Sequence, residues 1–214
     1  MKNNIKISNP NIKLYNLSDN PISRLYHKLN YDTSSFVTAN KALEIGENNC
    51  YIAEDSQFSA TAICKTIERE VFAEATIQIG WCYGKGNCLN GMEWHKSSEV
   101  IVACTDLVLF LGDYFDIEND IYATDKAIAL YLKKGEIVEL SPLTLHLAPI
   151  NIDNDFRAII ILPKGTNSPL LGGISGTLRA KNKWLLCHKD NINGIKNGGK
   201  IGVVGDNLTI IREI

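Results

Sequence analysis

The stretch GMEWHKSSE at residues 91–99 leads directly into the apolar run VIVA at residues 100–103. Side chains of a β-strand alternate between two faces, so Glu93, His95 and Glu99 share one face of the predicted strand. Burying two carboxylates side by side costs free energy unless a cation or hydrogen-bond donors compensate their charge. A divalent metal ion gives that compensation in a small volume, so these residues are candidate metal ligands.

A second segment, GEIVELSPLTLHLAPIN at residues 135–151, has a histidine among leucines. It predicts a strand, a turn at Ser141-Pro142 and a second strand that includes His146. Taken alone, a histidine in an apolar strand is more often a hydrogen-bonded core residue than a metal ligand. The acidic cluster of the first segment strengthens the interpretation of His146 as a metal ligand.

Short β-rich runs continue on both sides of these segments. They are residues 75–82, 99–103, 107–111, 127–132, 137–140 and 158–162, with a final strand near residues 201–211. Turns containing Gly, Asn or Asp separate most of them. Many short strands with regular turn signals predict an all-β sandwich or barrel.

The two segments together resemble the two sequence motifs of the cupin superfamily. The first motif has a His-x-His pair followed by Glu and then Gly, and the second has Gly, Pro, His and Asn in order. The matching residues in this chain are Glu93, His95, Glu99, Gly112, Gly135, Pro142, His146 and Asn151. The pattern is similar to an uncharacterised bacterial cupin-like family, and more loosely to cupin sugar isomerases and ureidoglycolate-lyase-like proteins. The resemblance implies a double-stranded β-helix, or jelly-roll barrel.

The resemblance also implies a metal site. His95, Glu99 and His146 are the expected ligands, and two histidines with one or two carboxylates suit Mn, Zn, Fe or Ni. Glu93 stands where the first motif usually has its first histidine, so it is either a fourth ligand or a base beside the metal. Thr144 replaces the usual inner glycine of the second motif, and His146 follows Pro142 more closely than in the family.

Three functional hypotheses follow. The first is a metal-dependent isomerase, epimerase or lyase acting on a small sugar or hydroxy acid, with Glu93 or Glu99 as general base. The second is a non-catalytic sugar-binding or regulatory protein. The third is an iron-dependent dioxygenase, because two histidines and one carboxylate can form a facial triad.

Five further residues are candidate substrate contacts. Cys82 and Tyr83 end a predicted strand before a glycine-rich turn, and Gln78 shares strand parity with Cys82. Lys183 and Trp184 belong to a segment that could fold over the cavity. Packing is the competing interpretation for Cys82 and Trp184.

The chain is expected to form one domain over residues 1–214. Residues 1–50 are predicted to form an N-terminal arm, with a short helix around residues 22–29 that begins at Ser23. Residues 51–165 form the barrel with both motifs, and residues 166–214 form a C-terminal β extension. Cupins often form homodimers by strand exchange, and the arm is a candidate for that exchange.

Composition excludes several classes of protein. A net charge of −2 with no extended basic cluster argues against nucleic acid and acidic membranes as partners. Residues 1–13 have no apolar signal core, and no run approaches the roughly 18 apolar residues of a membrane span. The six cysteines form no CxxC pair, so neither a structural zinc site nor a disulfide framework is expected. We expect a cytoplasmic protein with reduced thiols.

Overall fold

The strands of the computed structural model closely follow the apolar runs of the sequence. The structure describes residues 5–6, 8–19, 22, 24–44, 46 and 49–211. Its strands are β1 Leu14–Asn16, β2 Tyr26–Lys28, β3 Cys50–Ile52, β4 Ile77–Gly84, β5 Gly91–Trp94, β6 Glu99–Ala103, β7 Leu107–Asp113, β8 Tyr122–Ala123, β9 Ile128–Leu132, β10 Ile137–Leu140, β11 Thr144–Leu145, β12 Ile150–Asn151, β13 Phe156–Pro163, β14 Leu178–Ala180, β15 Lys183–His188 and β16 Lys200–Val204. The helices are α1 Ser34–Lys41, α2 Ser56–Ser59, α3 Ala62–Glu70 and α4 Ile192–Lys196, and 3₁₀ turns span Tyr114–Asp116 and Thr124–Lys126.

Two sheets face each other to form the barrel. One has the order β2-β10-β6-β13-β4-β3, and the other has the order β1-β9-β7-β11, with β12 also paired to β7. Alternate leucines of β7 and β9, including Leu109 and Leu130, pack against Ile101 of β6 and Ile160 of β13 between the sheets. The side chains of each strand alternate between the inward and outward faces, and both faces of these strands are buried. The prediction of an all-β, jelly-roll barrel is confirmed.

A third sheet joins the C-terminal extension to the barrel. Its order is β14-β15-β16-β8, and β5 pairs with β15 in antiparallel orientation. β5 is the strand that contains Glu93, so the extension lies directly beside the first motif. β15 of the predicted C-terminal extension is therefore hydrogen-bonded to the strand that contains Glu93.

Helices cover the outer face of the sheet that contains β4. Phe36 of α1, Phe58 of α2 and Ile67 of α3 are buried there against Ile79 and its neighbours in the sheet. The side chain of Thr61 accepts a hydrogen bond from Cys64 N at 3.3 Å and so begins α3. Burial of this outer face explains why β4 is apolar on both sides.

The N-terminal segment differs from the prediction. A helix around residues 22–29 is wrong, because β2 lies there and pairs with β10 in antiparallel orientation, while Ser23 lies outside the described residues. β1 likewise pairs in parallel with β9. These two strands lie at the edges of the two sheets, so residues 14–16 and 26–28 are part of the barrel wall. Across the described residues, no helix is both long and apolar enough to cross a membrane.

Candidate metal centre and its cavity

Backbone hydrogen bonds bring the two motifs together. Glu93 N donates to His146 O at 2.5 Å, and His146 N donates to Glu93 O at 2.9 Å. Leu143 N also donates to His95 O at 2.8 Å. Residues 143–146 of the second motif are therefore fixed against residues 93–95 of the first motif, which lie about fifty residues earlier in the sequence.

Four side chains converge at this junction. Glu99 Oε2 lies 3.2 Å from His95 Nε2 and 3.0 Å from His146 Nε2. Glu93 Oε1 lies 3.9 Å from each of the same nitrogens. The two imidazole centroids are 5.4 Å apart, and ligand atoms of Glu93, His95 and His146 all lie within 4.8 Å of one another. The structure thus brings together all four residues that the sequence singles out.

Both imidazoles are oriented by main-chain carbonyls. His95 Nδ1 lies 2.6 Å from Asn182 O, and His146 Nδ1 lies 2.9 Å from Thr144 O. A carbonyl only accepts, so each Nδ1 must be the protonated donor, and the Nε2 of each ring faces the carboxylates. Metal-binding histidines commonly donate their other ring N–H in this way, which fixes the tautomer and the orientation of the ring.

The charges of the cluster are strongly coupled. Burial opposes the charged form of His146, but the charge of Glu99 and its hydrogen bond outweigh burial and raise the His146 pKa to about 9. Burial also opposes ionisation of Glu99, yet the adjacent His146 and His95 hold the Glu99 pKa well below its ordinary value. For Glu93, burial is outweighed by Lys183 and the two imidazoles, so its pKa is also lowered. Both carboxylates are therefore ionised near neutral pH.

These donors fit a divalent cation. His95 Nε2 is buried and has no hydrogen-bond partner among the described residues, although Glu99 is close. Ligands at about 2.1 Å from a metal lie roughly 3.0–3.4 Å from each other in octahedral or tetrahedral geometry. The contacts of Glu99 with both imidazoles are in or near this range, and those of Glu93 are somewhat longer. The distances therefore suit a metal ion bound by His95, His146 and Glu99, with Glu93 beside it.

A cavity of about 190 Å³ opens beside the cluster. Its polar and ionisable lining is formed by Tyr51, Cys82, Glu93, Glu99, His146, Asn167 and Lys183. The remaining lining is apolar and is formed by Ile101, Leu147, Ala148, Pro149 and Ile160. The cavity therefore presents both carboxylates and one imidazole of the cluster to a small ligand.

Lys183 and Trp184 lie on opposite faces of β15. Trp184 pairs with Trp94 in register, and their rings stack at 6.4 Å with an angle of 11°. Because side chains alternate, Lys183 lies on the face of Glu93, and its ammonium group contacts the Glu93 carboxylate. Lys183 lines the cavity, whereas we assign Trp184 a packing role, with Lys96 5.0 Å above its ring.

The three candidate substrate contacts on β4 lie in different surroundings. Cys82 faces the interior and lines the cavity. Gln78 is on the same face, but it donates to Thr166 O at 3.0 Å and accepts from Gly165 N at 2.8 Å, which assigns it to holding a loop. Tyr83 is on the other face, where the Arg157 guanidinium lies 6.0 Å from its ring centroid. Neither Gln78 nor Tyr83 is part of the cavity lining.

A family model matches residues 24–208 of the chain, a span that includes both motifs and the extension. Its description is "Domain of unknown function (DUF4867)". The chain belongs to this family. No curated protein matches the sequence.

Solved structures to which this member of the DUF4867 family is similar include an oxalate decarboxylase, CapF and a cupin domain. Bacillus subtilis oxalate decarboxylase, described with Mn(II) centres, is 13% identical with a TM-score of 0.31, over 45% of this chain and 24% of that chain. CapF is 20% identical with a TM-score of 0.34, over 44% and 26%. A cupin domain from Bordetella pertussis Tohama I is 14% identical with a TM-score of 0.31, over 41% and 81%. This chain thus spans about a quarter of the first two proteins.

Sequence reasoning missed three residues of this DUF4867 site. Tyr51 pairs with Cys82 in register and so faces the cavity, and Asn167 Nδ2 donates to its hydroxyl at 3.2 Å. Asn182 supplies the carbonyl that orients His95. Asn182 and Asn167 adopt positive φ values of 55° and 69°, which asparagine tolerates better than most residues. Asparagines in turn segments were the available signal, but their partners are set by tertiary structure.

Proposed function

We propose that this protein is a metal-dependent enzyme that isomerises, epimerises or cleaves a small sugar or hydroxy acid. The observation that supports this most is the pair of buried histidines whose Nδ1 atoms are held by main-chain carbonyls and whose Nε2 atoms face two ionised carboxylates beside a cavity. His95, His146 and Glu99 would hold the ion. A divalent ion bound there supplies Lewis-acid polarisation of a substrate oxygen.

Glu93 is the better placed of the two acids for proton transfer. One carboxylate oxygen contacts Lys183, and the other is 3.9 Å from both Nε2 atoms, so neither imidazole binds it closely. The contacts of Glu99 with both imidazoles make it a ligand instead. Because its pKa is lowered, Glu93 is ionised and can accept a proton from a substrate carbon next to a polarised carbonyl.

Metal analysis of the purified protein tests the ligand assignment. We expect His95→Ala and His146→Ala each to abolish metal loading while circular dichroism shows a folded chain. His188→Ala is the matched control, because His188 is equally buried but bonds to Gly205 O, away from the cluster. Full metal stoichiometry in either of the first two variants would remove that residue from the site.

A panel of sugars and hydroxy acids then tests turnover. Glu93→Gln is expected to lower kcat at least a hundredfold with little change in metal content. Equal loss of metal and activity would make Glu93 a fourth ligand. Tightly bound iron with oxygen consumption would favour a dioxygenase, and ligand binding without turnover would favour a binding protein.

A further inference from the structure

We infer that the substrate of this site is a small monoanionic hydroxy acid, whose carboxylate is recognised by Lys183, rather than a neutral sugar. This inference rests on the proposed function and chooses between its two substrate classes. Three features of the cavity support it: its net charge, its polar lining and its apolar lining.

The charges of the loaded cavity leave one positive charge uncompensated. Glu93 and Glu99 contribute two negative charges, and Lys183 contributes one positive charge. With a divalent ion bound by neutral imidazoles, these groups add up to one net positive charge. An uncompensated charge in a buried site is costly, so a monoanion is the ligand that neutralises it.

The lining offers few hydrogen-bond partners beyond the charged cluster. Asn167 Oδ1 is buried and has no partner among the described residues, and the hydroxyl of Tyr51, which accepts from the Asn167 amide, is left free to donate. Burial raises the pKa of Tyr51 to about 12, so this hydroxyl keeps its proton near neutral pH. One substrate hydroxyl can bond to this pair, as acceptor from Tyr51 and donor to Asn167.

The apolar lining argues against a polyhydroxylated ligand. Ile101, Ile160, Leu147 and Pro149 cover the other side of the cavity and provide no polar groups from their side chains. Each sugar hydroxyl buried against them would lose its water without gaining a partner.

Lactate and lactamide form a matched pair of probes, because they have the same size and hydroxyl but differ in charge. Calorimetric titration of the metal-loaded protein is expected to show lactate binding roughly tenfold to a hundredfold more tightly than lactamide, the range for one charge-assisted interaction. Arabinose and glucose are expected to bind more weakly than lactate. Removal of the metal with a chelator should abolish the preference for lactate.

Two variants of Lys183 test whether this residue recognises the carboxylate of lactate. Lys183→Met should weaken lactate binding roughly tenfold or more and leave lactamide binding unchanged, and Lys183→Arg should restore most of the preference. Lys96→Met is the control, because Lys96 is exposed above Trp184 and does not line the cavity. Metal content is measured in each variant, and the wild-type comparison of lactate with lactamide stands without any variant.

Equal affinity for lactate and lactamide, or tighter binding of arabinose than of lactate, would overturn the inference. A preference for lactate that persists in Lys183→Met protein with full metal content would overturn the assignment of Lys183. Failure of the proposed function has a different signature: lactate binds with the expected preference, but no hydroxy acid or sugar in the panel is turned over.

Discussion

Asn182 links the C-terminal extension to the candidate metal centre, and its replacement by glycine tests that link. Its carbonyl accepts from His95 Nδ1, its Oδ1 accepts from Lys96 N at 2.9 Å, and its Nδ2 donates to Ser97 Oγ at 2.8 Å. A third and longer side-chain bond of 3.3 Å joins Nδ2 to Thr166 Oγ1. Glycine keeps the carbonyl and tolerates the φ of 55°, so Asn182→Gly removes only the side-chain bonds.

The expected magnitude follows from these contacts. Two short hydrogen bonds at about 1 kcal/mol each give a loss of about 2 kcal/mol in the free energy of unfolding. Asn182→Ala should lose about 1 kcal/mol more, because an alanine at this φ is strained. Without its side-chain bonds the turn holds the carbonyl less firmly, and loss of such an outer contact typically lowers metal affinity about 10- to 100-fold.

Three measurements separate a positioning role from a purely structural one. Urea unfolding gives the stability loss, and competition with a fluorescent chelator gives the metal affinity. Nitrogen NMR of the histidine rings reports whether His95 keeps its proton on Nδ1 in the metal-free protein. The control is Asn207→Ala, because Asn207 accepts from Asn90 N at 2.8 Å and donates to Asn90 Oδ1 at 3.0 Å in a turn away from the cavity.

We expect Asn207→Ala to lose a similar amount of stability without loss of metal affinity. The reasoning is refuted if Asn182→Gly and Asn207→Ala bind metal equally well. It is also refuted if Asn182→Gly binds metal more weakly while the His95 ring keeps its wild-type signals, because the loss would then have another cause.

Three other predictions concern the core, the loop and the metal. Leu130→Ala removes a fully buried side chain between the two sheets and should lower the free energy of unfolding by about 2–5 kcal/mol in urea titration; a loss below about 1 kcal/mol would contradict the assigned packing. Gln78→Leu should cost about 1–3 kcal/mol, because it leaves Gly165 N and Thr166 O without partners, while KM stays unchanged; a raised KM at unchanged stability would return Gln78 to the substrate site. Metal at a hundred times its Kd should stabilise the protein by about 2.7 kcal/mol, or roughly 5–11 °C in Tm, and His146→Ala should eliminate this shift in thermal unfolding.

The sequence predicted most of the barrel because its strands are short β-rich apolar runs separated by turn signals. Residues 99–103 and 137–140 begin and end where predicted, and β13 extends the predicted 158–162 by a few residues. β2 was missed because a strand of three residues is too short to show a period, and its pairing with β10 is decided by tertiary structure. Local pattern therefore predicts the long strands and fails for the short ones.

The same distinction applies to the site. Glu93, His95 and Glu99 were found from their spacing within one short segment, and His146 was found from the motif. The single strand predicted over that segment is wrong, because β5 ends at Trp94 and β6 begins at Glu99 in a different sheet. Tyr51 and Asn167 were not found, because each reaches the cavity through pairing or loop position that no short segment encodes. The alternation of side chains along the strand also could not exclude Gln78 as a substrate contact. Gln78 faces inward, but its side-chain amide bonds to the loop at Gly165 and Thr166.

The extension completes the charge balance of the site. β5 supplies Glu93 and β6 supplies Glu99, two ionised carboxylates that line the cavity. The extension adds the ammonium group of Lys183 beside Glu93 and the carbonyl that orients His95. Both contacts depend on one register, because pairing Trp184 with Trp94 places Lys183 on the cavity face. A slip of one residue would exchange lysine and tryptophan between the faces and leave Glu93 buried without its cation. The stacked tryptophans therefore help to keep the register on which the electrostatics of the metal centre depend.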